Sequence, residues 1–297
     1  MKTLPAGLQA HLDTGATTLC WCWKVARRDG LTLGFTDHDV AFAFDGVTYD
    51  AATGFTATEI EANLGLSVDN LDVESAISSD LITADDITAG RWDDATVEIW
   101  RVNWSDASQR ILVRKGSIGE VTHGSVAFSA EIRGLAHELN QSKGNTYQRM
   151  CAAVLGDGRC KINLAAAEFQ GSGSVSVALD GRYLSVSGLE DFAEGWFTFG
   201  VLTFTSGANA GVAIEVRQNL WRQSDVTITL WQRAPLPIAP GDTFTIVAGC
   251  DKTFATCKAK FDNHLNFRGF PYIPGNDAVL RVAKKSDTEN DGSSFFN

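Results

Sequence analysis

No stretch of this 297-residue sequence approaches the run of roughly 20 apolar residues that a membrane-spanning helix needs, so stable insertion in a bilayer is not expected. The opening Met1-Lys2-Thr3-Leu4-Pro5-Ala6-Gly7 has one basic residue and no apolar run behind it, unlike a cleavable secretion signal. Synthesis in the bacterial cytoplasm is therefore expected. Positive charge is scarce: the net charge is −11, and no basic run exceeds the pairs Arg27-Arg28 and Lys284-Lys285. That argues against specific nucleic-acid binding, which rests on neutralising phosphates. Also missing are Gly-x-Ser-x-Gly, His-Glu-x-x-His, phosphate-loop, flavin and nicotinamide motifs, and any internal repeat of fixed period. The chain does not read as an enzyme, and no residue is assigned a catalytic role.

What is present is ordinary globular composition, 44% hydrophobic and 21% charged, with a heavy load of eight tryptophans. Large aromatics commonly anchor cores or permanent interfaces, so assembly with partners is expected. After a short amphipathic segment at Leu8–Leu12 the pattern turns alternating: Leu19–Val25, Leu31–Phe35, Val40–Phe44 and Val47–Tyr49, with Asp29-Gly30 and Asp45-Gly46 between runs. Asp-Gly between alternating runs signals type I′ hairpins, so two hairpins are predicted to open the chain. Further strands are predicted at Thr96–Trp104, Ile111–Val121 and Val126–Ile132.

From Leu135 to Leu155 the period changes, giving a helical or irregular connector. A second β unit follows, with a hairpin at Val175–Leu179 and Tyr183–Val186 about Asp180-Gly181. It continues through Trp196–Thr205, Gly211–Arg217, Val226–Gln232 and Thr243–Val247. The reading is a mainly β protein of two small barrel-like or sandwich-like units. Its expected parts are a β domain over 1–140, a connector over 141–163, a second β domain over 164–248, a cysteine and lid segment over 249–282, and a disordered tail over 283–297.

Six cysteines fall in three pairs. Cys20 and Cys22 lie two apart on a predicted strand, facing one way while Trp21 and Trp23 face the other, and read as buried core thiols. Cys151 and Cys160 close the connector, and Cys250 and Cys257 follow the last strand of the second unit. The two pairs bracket that unit, whose ends are expected to lie close together. Four sulfurs so placed invite a metal. The gaps of eight and six residues are wider than usual for structural zinc and match no standard ferredoxin run. On spacing alone an iron–sulfur cluster and a zinc ion stand level. Two disulfides are disfavoured in a cytoplasmic chain, and four unrelated buried thiols remain the plainest alternative.

The block Gly249-Cys250-Asp251-Lys252-Thr253-Phe254-Ala255-Thr256-Cys257, running on through Asn263, His264, Arg268-Gly269-Phe270-Pro271 and Tyr272 to Gly275, resembles the C-terminal signature of baseplate hub proteins of phages and gene transfer agents. Leu33-Gly34-Phe35-Thr36-Asp37-His38-Asp39, Phe44-Asp45-Gly46-Val47-Thr48-Tyr49 and the Cys151/Cys160 segment are similar to the same family. The resemblance implies a structural hub in the tail baseplate of a virion-like particle, similar in role to the iron–sulfur tail-tip protein of lambda-like siphophages. It implies a homo-oligomer, a trimer, forming part of a DNA exit channel. The implied neighbours are a distal tail protein above, a tip or fibre-bearing tail protein below and a cell-wall peptidase nearby. It further implies that Cys151, Cys160, Cys250 and Cys257 hold a [4Fe-4S] cluster, clasping the two hub domains. This resemblance, and not spacing, sets the cluster above zinc. The alternatives from other classes are an iron–sulfur electron-transfer protein and a zinc-stapled adhesin.

Two further motifs have plainer readings. Asp37-His38-Asp39 reads as a turn or cap, because successive strand residues face opposite ways and His38 cannot gather both carboxylates. His264 reads as a packing or supporting residue near the cysteines, and Arg268–Gly275 as a lid over the cluster.

Overall fold

A computed structural model of the chain describes residues 3–51, 55–57, 70–76, 82–123, 127–222 and 225–274. The expected disordered tail, and much of the acidic stretch between Glu59 and Asp86, lie outside the described residues. The chain divides into two compact units, 1–142 and 143–297.

The first unit opens with helix α1 (Ala6–Asp13) and builds one nine-stranded sheet. Its strands are β1 (Leu19–Ala26), β2 (Thr32–Thr36), β3 (Phe42–Phe44), β4 (Val47–Ala51), β5 (Phe55–Ala57), β6 (Asn70–Ala76), β7 (Thr96–Asn103), β8 (Arg110–His123) and β9 (Ala127–Gly134). The spatial order is β3-β4-β2-β1-β7-β8-β9-β6-β5, and helices α2 (Ala84–Thr88) and α3 (Leu135–Asn140) complete the unit. This corrects the expected small barrel or sandwich. Strands β5 and β6 were not anticipated, and β4 lies parallel to β2.

The alternation of β1 explains why this sheet is covered on both faces. Trp23 and Val25 pack with Phe35, Trp92, Val97 and Ile99, while Cys20 and Cys22 pack on the opposite side with Phe44, Tyr49 and Val102. Tyr49 stacks on Phe44 with ring centres 4.1 Å apart. The two opening Asp-Gly turns differ. Asp45 and Gly46 both take positive φ, 50° and 74°, as a type I′ turn requires. In the first turn only Gly30 does, at 97°, and Arg27 both accepts from Gly30 N–H and pairs with Leu31. One more residue is thus spent on that turn than a two-residue hairpin uses.

The second unit is a closed six-stranded barrel in the order β10-β11-β14-β13-β12-β15. Its strands are β10 (Gln170–Leu179), β11 (Tyr183–Ser187), β12 (Val201–Phe204), β13 (Ala213–Arg222), β14 (Asp225–Leu230) and β15 (Thr243–Val247). Alternate residues point inward: Leu202 and Phe204, Val226, Ile228 and Leu230, Phe244 and Ile246 are all buried in one core. Each such burial contributes about 1.5–3 kcal/mol. The strand expected from Trp196 starts only at Val201, because Trp196–Gly200 is consumed by turns, with Phe199 at φ 64°. After β15 the chain forms helix α4 (Phe254–Phe261), inside the cysteine and lid segment expected over 249–282. Both cysteine pairs belong to this unit, so whatever clasp they make is internal to it.

Candidate cysteine site

Cys151, Cys160, Cys250 and Cys257 line one cavity of about 340 Å³, its mouth included, at the base of the barrel unit. The remaining lining is apolar side chains such as Leu155, Ile162, Phe261 and Phe267, with Lys252, Thr253, Asn263 and Asn266 at the polar positions. All four are free thiols. Among the described residues, no group of three or more His, Cys, Asp or Glu is arranged to hold a metal ion. The four cysteines expected to meet thus line the wall of this one cavity.

Three segments bring them there. The first, around Cys151, is laced to the C-terminal block by main-chain bonds: Cys151 N–H donates to Lys252 O at 2.9 Å, Ala152 N–H to Arg268 O at 3.0 Å, and Phe270 N–H to Gln148 O at 2.9 Å. Gly269 is required here, since a Cβ would stand 2.5 Å from Met150 O. The second is the tight loop Val154–Cys160, organised by one carboxylate. Asp157 accepts from the backbone N–H of Cys160, Arg159 and Val154 at 2.7, 2.9 and 3.0 Å. The Cys160 bond first, with those from the other two amides, holds its carboxyl below the usual range.

The third segment leaves β15 through Gly249, where a Cβ would lie 1.8 Å from Thr198 O, and delivers Cys250 beneath the barrel. Thr253 then caps α4, its hydroxyl accepting from Thr256 N–H, and Asp251 accepts from Thr253 and Thr256. Burial opposes ionisation of Asp251, but these bonds outweigh it and lower its pKa. Cys257 sits within α4, one turn from Phe261, so both buried side chains share a face.

The sulfurs are supplied with donors. Lys252 N–H points to Cys250 Sγ at 3.4 Å, Arg268 N–H to Cys151 Sγ at 3.4 Å and Asn263 Nδ2 to Cys160 Sγ at 3.6 Å. Asn263 also donates to Cys160 O at 2.6 Å, and Asn266 fixes its amide oxygen. Lys252 Nζ crosses to Ala153 O at 2.7 Å. Lys260, which burial pushes down to about 8, donates to Gly249 O and Trp196 O and lies over the Trp196 ring. Burial raises the Cys250 thiol and pushes Cys257 up to about 11, so these sulfurs favour the neutral form unless a cation compensates.

The other cysteines and the rival motifs go elsewhere. Cys20 and Cys22 are buried in the first unit, donating toward Val102 O and Thr36 Oγ1. Asp37 accepts from Trp21 N–H, while His38 faces Asp39 and the Trp104 ring, so Asp37-His38-Asp39 serves a turn. His264 is not part of the cavity; it is partly exposed and its Nδ1 is 3.8 Å from Asp262. The lid segment divides in its exposure. Phe267 lines the cavity, whereas Phe270 and Tyr272 are exposed and are not part of its lining. The sequence reading did not single out Asp157, Asn263 or Lys252. Asp157 had a usable signal, a carboxylate between Gly156 and Gly158 within a turn.

Residues 5–163 match the family described as baseplate hub protein, N-terminal attachment domain. The chain belongs to the baseplate hub proteins. Residues 195–277, which include Cys250 and Cys257, match the family described as phage conserved hypothetical protein BR0599. Among solved structures, this hub protein is similar to a chain of the virion of a native gene transfer agent particle. The identity is 43%, the match covers 98% of this chain and 100% of that one, and the TM-score is 0.91. No curated protein matches it.

Proposed function

We propose that this chain is a structural hub of a gene-transfer-agent-like or phage-like tail baseplate, acting through geometry rather than catalysis. The observation that carries the proposal is the full-length likeness, at 43% identity, to a chain of a native gene transfer agent virion. In this reading the hub links a distal tail ring to a tip or fibre-bearing protein. It lines part of the DNA exit channel as a closed ring of three, with a cell-wall peptidase nearby. A net charge of −11 suits a channel wall that passing DNA must not grip.

Cys151, Cys160, Cys250 and Cys257 are proposed to hold a [4Fe-4S] cluster. The donor set supports a cluster: four thiols, a lining without carboxylates, and N–H groups aimed at three of the sulfurs. A cluster spreads its ligands over several irons, which suits four cysteines distributed over the wall of one cavity. Bound there, it would supply positive charge that holds the thiolates and a tie between the two ends of the barrel unit. Structural metal sites contribute on the order of 10 kcal/mol to folding, if zinc is a guide.

The test is to delete the chain from the producing cell and examine the particles. Tails lacking an organised tip, with the chain present in wild-type tips by mass spectrometry, are expected. Complete, DNA-delivering particles without it would overturn the proposal. Iron and acid-labile sulfide in anaerobically purified protein are expected; zinc without sulfide would replace the cluster by a zinc staple.

A further inference from the structure

Beside the cysteine cavity, and separate from its lining for the most part, lies an open cleft of about 1100 Å³, its mouth included. One wall is the segment Asn145–Tyr147 and the other is Phe267–Phe270. Two of its lining side chains are large, aromatic and exposed: Tyr147 is 79% and Phe270 46% accessible. Tyr147 and Phe270 rest against each other with ring centres 4.8 Å apart, which presets an aromatic edge. Aromatic residues and arginine in a concave site are the composition of an interface hot spot.

Two observations choose the occupant. First, the charged side chains lining the cleft are Arg159 and Arg268, with no carboxylate among them, in a chain of net charge −11. Arg159 is engaged by Asp157 and by Ala152 O, whereas Arg268 is exposed and its guanidinium is in no ion pair among the described residues. An arginine fork is shaped for a carboxylate. Second, Asn145, Thr146 and Tyr147 form a wall whose main chain makes no backbone hydrogen bond to another described residue. Free N–H and C=O groups along an exposed wall are what an extended peptide recognises by adding itself as a strand.

We infer that this cleft binds an extended, acidic segment of a partner protein, its backbone along Asn145–Tyr147, a carboxylate on Arg268 and an apolar side chain against Tyr147 and Phe270. The inference rests on the reading of the chain as a particle component. A double-stranded DNA occupant would meet two arginines and a strongly acidic protein, too little to offset repulsion.

The test places photoreactive p-benzoyl-phenylalanine at Tyr147, where the aromatic ring is preserved, and irradiates purified particles. A cross-link to another particle protein, mapping to a stretch rich in Asp or Glu, is expected. It should fall about tenfold in Arg268→Glu, the loss of one charge-assisted contact. Arg268→Gln, a milder change, should give an intermediate loss with an unchanged unfolding temperature. Cross-links to DNA, to a glycan or to a second copy of this chain, or none at all in particles that contain the chain, would overturn the inference. Absence of the chain from particles would instead overturn the hub reading itself.

Discussion

A buried sulfur facing an N–H group has two fates, and the surroundings decide between them. Without a cation, burial keeps Cys257 and Cys250 protonated; with one, the Lys252 N–H helps to stabilise the Cys250 thiolate. Cys250→Ser and Cys151→Ser should therefore lose iron, lose brown colour and yield less soluble protein. Serine is nearly isosteric but a poor iron ligand at neutral pH. Cys20→Ser should leave iron content unchanged, because Cys20 packs in the first unit against Val102 and Phe44. Iron retained at wild-type stoichiometry in Cys250→Ser, or lost in Cys20→Ser, would show that the ligands are misassigned. At this scale the approach of Cys151 and Cys160 to Cys250 and Cys257 around one cavity was legible, because bracketing a domain brings its ends together. The donors were not: Asn263 looks like any polar loop residue until Cys160 is placed beside it.

At the scale of elements, the strands follow alternation and the misses follow local chemistry. Helix α4 escaped because it spans eight residues, although Thr253 before it, Cys257 and Phe261 four apart, and Lys258 and Lys260 near its end are all helix signals. The nine-stranded sheet escaped because pairings such as β6 with β9 join distant segments that no local pattern names. Across β1, β7 and β8 the opposed positions Lys24, Glu98 and Lys115 form a charged row, with Glu98 3.5 Å from Lys24 and 3.0 Å from Lys115.

Burial alone would raise the Glu98 pKa, but the Lys115 bond and both cations bring it below the ordinary 4.5. A depressed folded-state value means the row stabilises fully above that ordinary value and loses its contribution as pH falls through the lower one. Thermal unfolding from pH 7 to pH 3 should thus show an acid-dependent loss, about 1 kcal/mol or less, that Glu98→Gln abolishes. An acid slope identical in Glu98→Gln would remove the row from the account.

For the whole molecule, the decisive step is from one copy to a closed set. A hub that caps a tube must present the same surface to each subunit of the ring above it, and cyclic symmetry does this without the open-ended growth of a head-to-tail contact that fails to close. Nothing in the sequence could supply the number of copies, since symmetry is a property of an interface and not of a chain. The family resemblance implies three. Native mass measurement of purified baseplates, or a reconstruction of the tail tip, should find three copies related by a threefold axis along the tail. The barrel unit, closed on itself and so without a sheet edge to pair wrongly, can then meet its neighbours through side chains alone. A single copy per tail, or copies in an open spiral, would refute the ring. In that event the exit channel would have to be formed by another protein, with this chain as its lateral attachment.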